Sequence, residues 1–169
     1  MAKTKEQLLN ILDQFQLDEK VVSAEPFGNG HINDTLKVTN EKGEIKYVLQ
    51  RINHLIFTNV DMLQNNIHVV TAHIRKKLEE KGETDIDRKV LTFLPTKDGK
   101  KYYFDGDSYW RVCLFIPRSK SYEEVTPELS YEAGKAFGDF QTMLSDIPEG
   151  TLGETIPDFH SRLMWSRMA

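Results

Sequence analysis

A chain of 169 residues, 39% hydrophobic and 28% charged, suits one compact domain, or one domain and the start of another, and excludes a disordered tail or a collagen-like fibre. Cys113 is its single cysteine, so no disulfide framework or thiolate zinc site forms within the chain. The balance of 22 Lys+Arg against 26 Asp+Glu gives a net charge of -4 without a basic block, which argues against a nucleic-acid partner.

The charged start Met1 to Glu6 is not a signal peptide, and no stretch approaches the ~20 apolar residues of a membrane span, so the expectation is a cytoplasmic protein with a reduced thiol. Thr4 and Gln7 match a capping box, and Leu8, Leu9, Ile11, Leu12 and Phe15 recur at helical spacing, predicting an amphipathic helix over 5–16. Val21 to Phe27 reads as a first strand, confined by Pro26 to an edge or an end. Gly28-Asn29-Gly30 is a turn. Ile32, Leu36 and Val38 then oppose polar Asn33, Thr35 and Lys37 on a second strand, and Asn40 to Gly43 turns into a third strand from Ile45 to Ile52.

Leu63, Ile67, Val70, Ile74 and Leu78 predict a long helix over 61–78, with lysines at its end and Gly82 as its stop. Strands are expected at Val90 to Leu94, Tyr102 to Phe104 and Tyr109 to Ile116, the last apolar at nearly every position and so covered on both faces. After the polar break Pro117 to Ser121, Thr126 caps a helix with Pro127 at its first position. Leu129, Ala133, Ala136, Phe137, Phe140 and Leu144 form its apolar stripe. The fold class is α+β: an antiparallel sheet with one long helix and an N-terminal helix, then a further helix.

Glycines at Gly28 and Gly30 let a backbone approach a phosphate and aim amide N–H groups at it, although two glycines also suit an ordinary hairpin turn. The element order, glycine hairpin, third strand, long helix, further strands, polar hinge and helix, is that of a kinase N-terminal lobe, in which a cation on the third strand reaches the phosphates. Arg51 is the choice for that cation, sharing a face with Tyr47 and Leu49, while Gln50 shares the other face with Val48 and Ile52; a solvated Arg at a strand end has the same pattern. Asn66, on the buried stripe of the long helix, either holds Arg51 or satisfies a neighbouring backbone group.

The stretch Gly28 to Thr35, then Tyr47-Val48-Leu49-Gln50-Arg51-Ile52-Asn53 with Ile56-Phe57, then Asn66-Ile67 and Val70 to His73, resembles the aminoglycoside phosphotransferase and choline kinase superfamily. Within it the likeness is greatest to the N-acetylhexosamine 1-kinase group. Tyr109 to Val112 running into Phe115-Ile116, Gly134 to Phe140, and Ile156 to His160 extend the match over most of residues 21 to 160. The resemblance implies a protein-kinase-like fold, ATP and magnesium, and phosphoryl transfer to a small hydroxylated molecule such as an N-acetylhexosamine. It places Gly28, Asn29, Gly30, His31 and Asn33 in the phosphate-covering flap, Arg51 as the strand cation, and Phe115 and Ile116 at the adenine-binding hinge. Residues 1–116 are then the N-terminal lobe and 117–169 the hinge with an incomplete C-terminal lobe. No His-x-Asp followed by Asn occurs after residue 117, so the expectation is a truncated chain unable to transfer phosphate alone. A homodimer through 126–165 would cover the apolar stripe.

Three smaller patterns point to structure. His68 and His73 fall on different helix faces, which disfavours a metal pair; Asp105-Gly106-Asp107 reads as a hairpin turn; and Asp85-Ile86-Asp87 reads as a solvated loop. Cys113, in its apolar run, reads as an inert thiol.

Overall fold

The computed structural model describes residues 3–28, 30, 32–122, 124–157 and 159. It is an α+β fold with the elements α1 (Lys5–Leu12), β1 (Val21–Pro26), β2 (Asp34–Asn40), β3 (Ile45–Ile52), α2 (Val60–Glu80), β4 (Phe93–Leu94), β5 (Tyr103–Phe104), β6 (Tyr109–Leu114) and α3 (Pro127–Leu144). The strands form one antiparallel sheet of order β1-β2-β3-β6-β4, with β5 also paired to β6. No helix among the described residues is long and apolar enough to cross a membrane.

Strand alternation divides the side chains between two faces. On one, Leu36, Val38, Tyr47, Leu49, Trp110 and Val112 are buried beneath Leu8, Ile11 and Leu12 of α1 and Phe15 beyond it. On the other, Ile52 at the end of β3 is buried with Val60 and Leu63 of α2, and Tyr109 packs against them. Further along α2, Ile74 and Leu78 bury Val90, with Met143 and Leu144 at the end of α3 beside them. The long helix and the first helix thus cover opposite faces of the sheet.

The capping box at Thr4 and Gln7 forms, but α1 ends at Leu12 rather than residue 16. Gln14 and Phe15 donate to the carbonyls of Ile11 and Leu12, and the chain then runs beside 95–97, with Gln16 N–H to the Pro95 carbonyl at 2.9 Å and Phe15 bridged to Thr96. Phe15 is buried as its spacing predicts, held by strand-type bonds instead of a helical turn. The strand expected from Val90 shrinks to two residues for a related reason: Val90 turns into the α2 cluster and only Phe93 and Leu94 stay in register with β6.

Two turns carry much of the polar order. Asn40, 2% exposed, accepts the Lys42 and Glu44 amides on its Oδ1 and donates its Nδ2 to Glu19 and Glu44. Asp105 accepts the Asp107 and Ser108 amides on one oxygen, and the Trp110 indole and the Lys3 ammonium on the other. Asp105-Gly106-Asp107 is therefore the β5–β6 turn, as its sequence suggests. Asp87 is less free than a solvated loop: Arg75 and Thr92 both donate to its Oδ1, which lowers its carboxyl pKa.

Candidate functional site

Register places four side chains of the α2-facing side in one row. Phe27 donates its amide to the Thr35 carbonyl, Thr35 pairs with Gln50, and Gln50 pairs with Arg111. The row begins beside the glycine turn and crosses to β6. Gln50 joins its middle: its Nε2 donates to Thr35 Oγ1 at 3.1 Å, and its Oε1 accepts from Arg111 Nε at 3.0 Å. At the hairpin end, Asn33 Oδ1 accepts the Asn53 amide at 3.0 Å and ties the turn to the end of β3.

Arg111 is the unusual member. It is 9% exposed, its guanidinium lies 5.3 Å from the centre of the Phe93 ring, and its NH1 nitrogen has no hydrogen-bond partner. Among the described residues no carboxylate forms an ion pair with it. Burial lowers its pKa, and the only opposing influence is the Cys113 thiol two residues away on the same face. Burial likewise pushes the Cys113 thiol up to about 11, in keeping with an inert cysteine. A buried charge without a counter-ion costs several kcal/mol, an amount that an anion brought to the site would recover in part.

The residues singled out by sequence divide between the two faces. Arg51 lies on the α1 side, where its Nε donates to Asp34 at 2.6 Å across the β2–β3 pair. Gly28 and Gly30, with Asn33 and Arg51, line a cavity of about 730 Å³ bounded by α1 and Trp110. Gly28 has φ +77°, which an L side chain rarely adopts, whereas a Cβ at Gly30 would meet only the Asn33 carbonyl oxygen, at 3.5 Å. Asn29 and His31 lie outside the described residues. Asn66 makes the backbone contact that was one of its two expectations: its amide donates to the Gly153 carbonyl at 2.6 Å and accepts the Gly153 N–H at 3.0 Å.

Phe115 and Ile116 follow β6 directly. The Phe115 amide is committed to the Lys46 carbonyl at 2.9 Å, and the Ile116 carbonyl accepts the Ser119 hydroxyl at 3.3 Å. The Phe115 ring meets the edge of Phe27 with centroids 5.9 Å apart, although two strands lie between their own in the sheet order. The sheet therefore curls toward the α2 side, bringing the residue before the glycine turn against the residue after β6.

Among the described residues no three His, Cys, Asp or Glu side chains come together as a metal cage. His73 is instead engaged by Asp146 and the Met143 carbonyl. Magnesium therefore finds no ligand set in this part of the chain. No family model matches the sequence. Motif reading passes over Arg111 as a site residue, although a lone charge within the apolar run Tyr109 to Ile116 is the signal that marks it.

Proposed function

We propose that this chain is the nucleotide-binding lobe of an ATP-dependent phosphotransferase of the N-acetylhexosamine 1-kinase kind, with the nucleotide phosphates received on the α2-facing side of the sheet. The observation that carries this is the unpartnered, buried Arg111 guanidinium lying in register with the glycine turn. A guanidinium presents several N–H donors in a plane matched to phosphate oxygens. Catalysis of phosphoryl transfer rests on positioning and charge stabilisation, so a cation held by a fixed partner is the group such a lobe has to supply. Gln50 holds Arg111 here, in the place that a third-strand cation would otherwise take.

Further support comes from the element order of hairpin, third strand, long helix and further strands, and from the Phe27–Phe115 ring pair, an aromatic surface suited to a purine. Arg51, paired with Asp34 on the opposite face, has no part in phosphate binding on this reading. Between residues 118 and 169 no His-x-Asp followed by Asn supplies a base for the acceptor hydroxyl, so the chain binds nucleotide without transferring phosphate. Calorimetric titration with ATP should give a dissociation constant on the order of millimolar, roughly -4 kcal/mol. Gly30→Val should weaken it and Arg51→Ala leave it unchanged. Micromolar affinity, or phosphorylated N-acetylglucosamine formed by the 169-residue chain, would overturn the reading, as would loss of binding in Arg51→Ala.

The exposed helix α3 favours a second reading, a noncatalytic module that self-associates through 126–165, of which 158 and 160–165 lie outside the described residues. None of its residues is buried, and Tyr131 and Phe137 are 71% and 70% exposed. Such a stripe on a folded chain marks an interface. Light scattering should report a dimer, and a clean monomer at high concentration would remove this reading.

A further inference from the structure

A second cavity, of about 340 Å³, lies between α2 and the β4 region, away from the Arg111 row. It falls at the lower end of the range typical of small-ligand sites. Ile67, Ala72, Leu91, Phe93, Leu94 and Pro95 give it an apolar floor. Its polar lining is one-sided: Arg75, Lys101, His68 and Gln64 contribute, and no Asp or Glu does.

Gln64 is the decisive member. It is 3% exposed, and its Nε2 has no hydrogen-bond partner. A buried amide donor left unpaired costs about 1–3 kcal/mol, so the cavity lacks an acceptor at that atom. Lys101 donates to the Asn65 side-chain carbonyl, a neutral partner that positions its ammonium without neutralising it. Arg75 is held by Asp87 and Thr92 at the cavity edge. An unpaired donor, an uncompensated ammonium and an apolar floor together describe the complement of a carboxylate on a hydrophobic body.

We infer that the cavity between α2 and β4 is a binding site for a small aryl or alkyl carboxylate, whose oxygens are received by Gln64 Nε2 and Lys101 and whose body rests on Phe93 and Ile67. A single carboxylate matches the one orphan donor and the one uncompensated cation, and the small volume excludes a nucleotide. The site shares no polar group with the Arg111 row, so it stands or falls separately from nucleotide binding.

The test uses 3-phenylpropionate as the probe and 3-phenylpropanol as its uncharged counterpart, with binding followed by amide chemical shifts of the 169-residue chain. Saturable shifts around the cavity are expected for the acid, with affinity at least about tenfold above the alcohol. Gln64→Leu, close to isosteric, should weaken the acid by about tenfold while leaving the melting temperature of the free protein unchanged or higher, because it removes an unpaired donor. Lys101→Met, at an exposed position, should weaken the acid without affecting the alcohol and serves also if Gln64→Leu fails to fold. Equal affinity for acid and alcohol, the mark of a water-satisfied apolar void, would overturn the inference. So would the absence of saturation, or a Lys101→Met variant that binds the acid as well as the parent.

Discussion

Replacing Arg111 by Met should raise the stability of the free chain while abolishing its response to ATP. The two effects have one origin. The guanidinium is buried without a counter-ion, and its NH1 nitrogen makes no hydrogen bond, so the apo fold carries the desolvation of a charge that nothing repays. Met removes that charge and keeps a flexible apolar stem over Phe93. Against the gain stand the loss of the contact with the Phe93 ring, about 0.5–2 kcal/mol, and of the bond to Gln50, about 1–2 kcal/mol. Exchanging buried charge for apolar volume has been worth about 1–4 kcal/mol elsewhere, which leaves a net gain of about 1 kcal/mol here. Coupling Arg111→Met with Gln50→Leu, so that no acceptor is stranded, should widen it. Urea unfolding reads the first effect and ATP titration the second. A destabilised Arg111→Met that still binds ATP would remove both the unpaired charge and the phosphate site from consideration.

The largest loss of stability is expected at Asp105. Its carboxylate collects two backbone amides, the Trp110 indole and the Lys3 ammonium, and Trp110 itself is 2% exposed. Asp105→Ala strands the buried indole donor and opens the β5–β6 turn, at a cost of about 3 kcal/mol and a fall in melting temperature of roughly 6–12 °C. The same contacts set an acid limit. Burial alone would raise the Asp105 pKa, but Lys3 and the donors from Ser108, Trp110 and Asp107 outweigh it and bring it to about 2. Because the folded value lies below the unfolded one, this contribution is fully present above about pH 4 and drains as pH falls toward 2. Asp146, also brought to about 2, by Lys77 and His73, drains over the same interval. Comparing Asp105→Asn with the parent separates them: the variant should be weaker at pH 7 and lose less between pH 4 and pH 2.5. Equal stability at pH 7 would sink this account of the turn.

Local pattern was enough for the order of elements, the capping box, the glycine hairpin and the α+β class. It was also enough to put Gln50 and Arg51 on opposite faces, since that follows from strand alternation alone. Which face met the long helix was not legible, because it depends on where α1 settles, and α1 covers the side that carries Arg51. The partner of Asn66 was out of reach for a different reason: Gly153 is 87 residues away, and no periodicity reports a contact made by a backbone carbonyl and amide in a loop. The apolar stripe of α3 illustrates the limit of periodicity, which identified the helix and its stripe but not whether anything within the chain would cover them.

The attachment of α3 is asymmetric. Met143 and Leu144 reach the Ile74 and Leu78 cluster, Asp146 meets His73 and Lys77, and Asn66 holds Gly153, all at or beyond the C-terminal end of the helix. The N-terminal end rests on its Thr126 cap and buries nothing. Local opening of such a helix is graded along its length: the turns near Pro127 fray at little free-energy cost, while the last turn opens only when its grip on α2 is released. The helix is thus a lever hinged at one end, free to swing its aromatic face without disturbing the sheet.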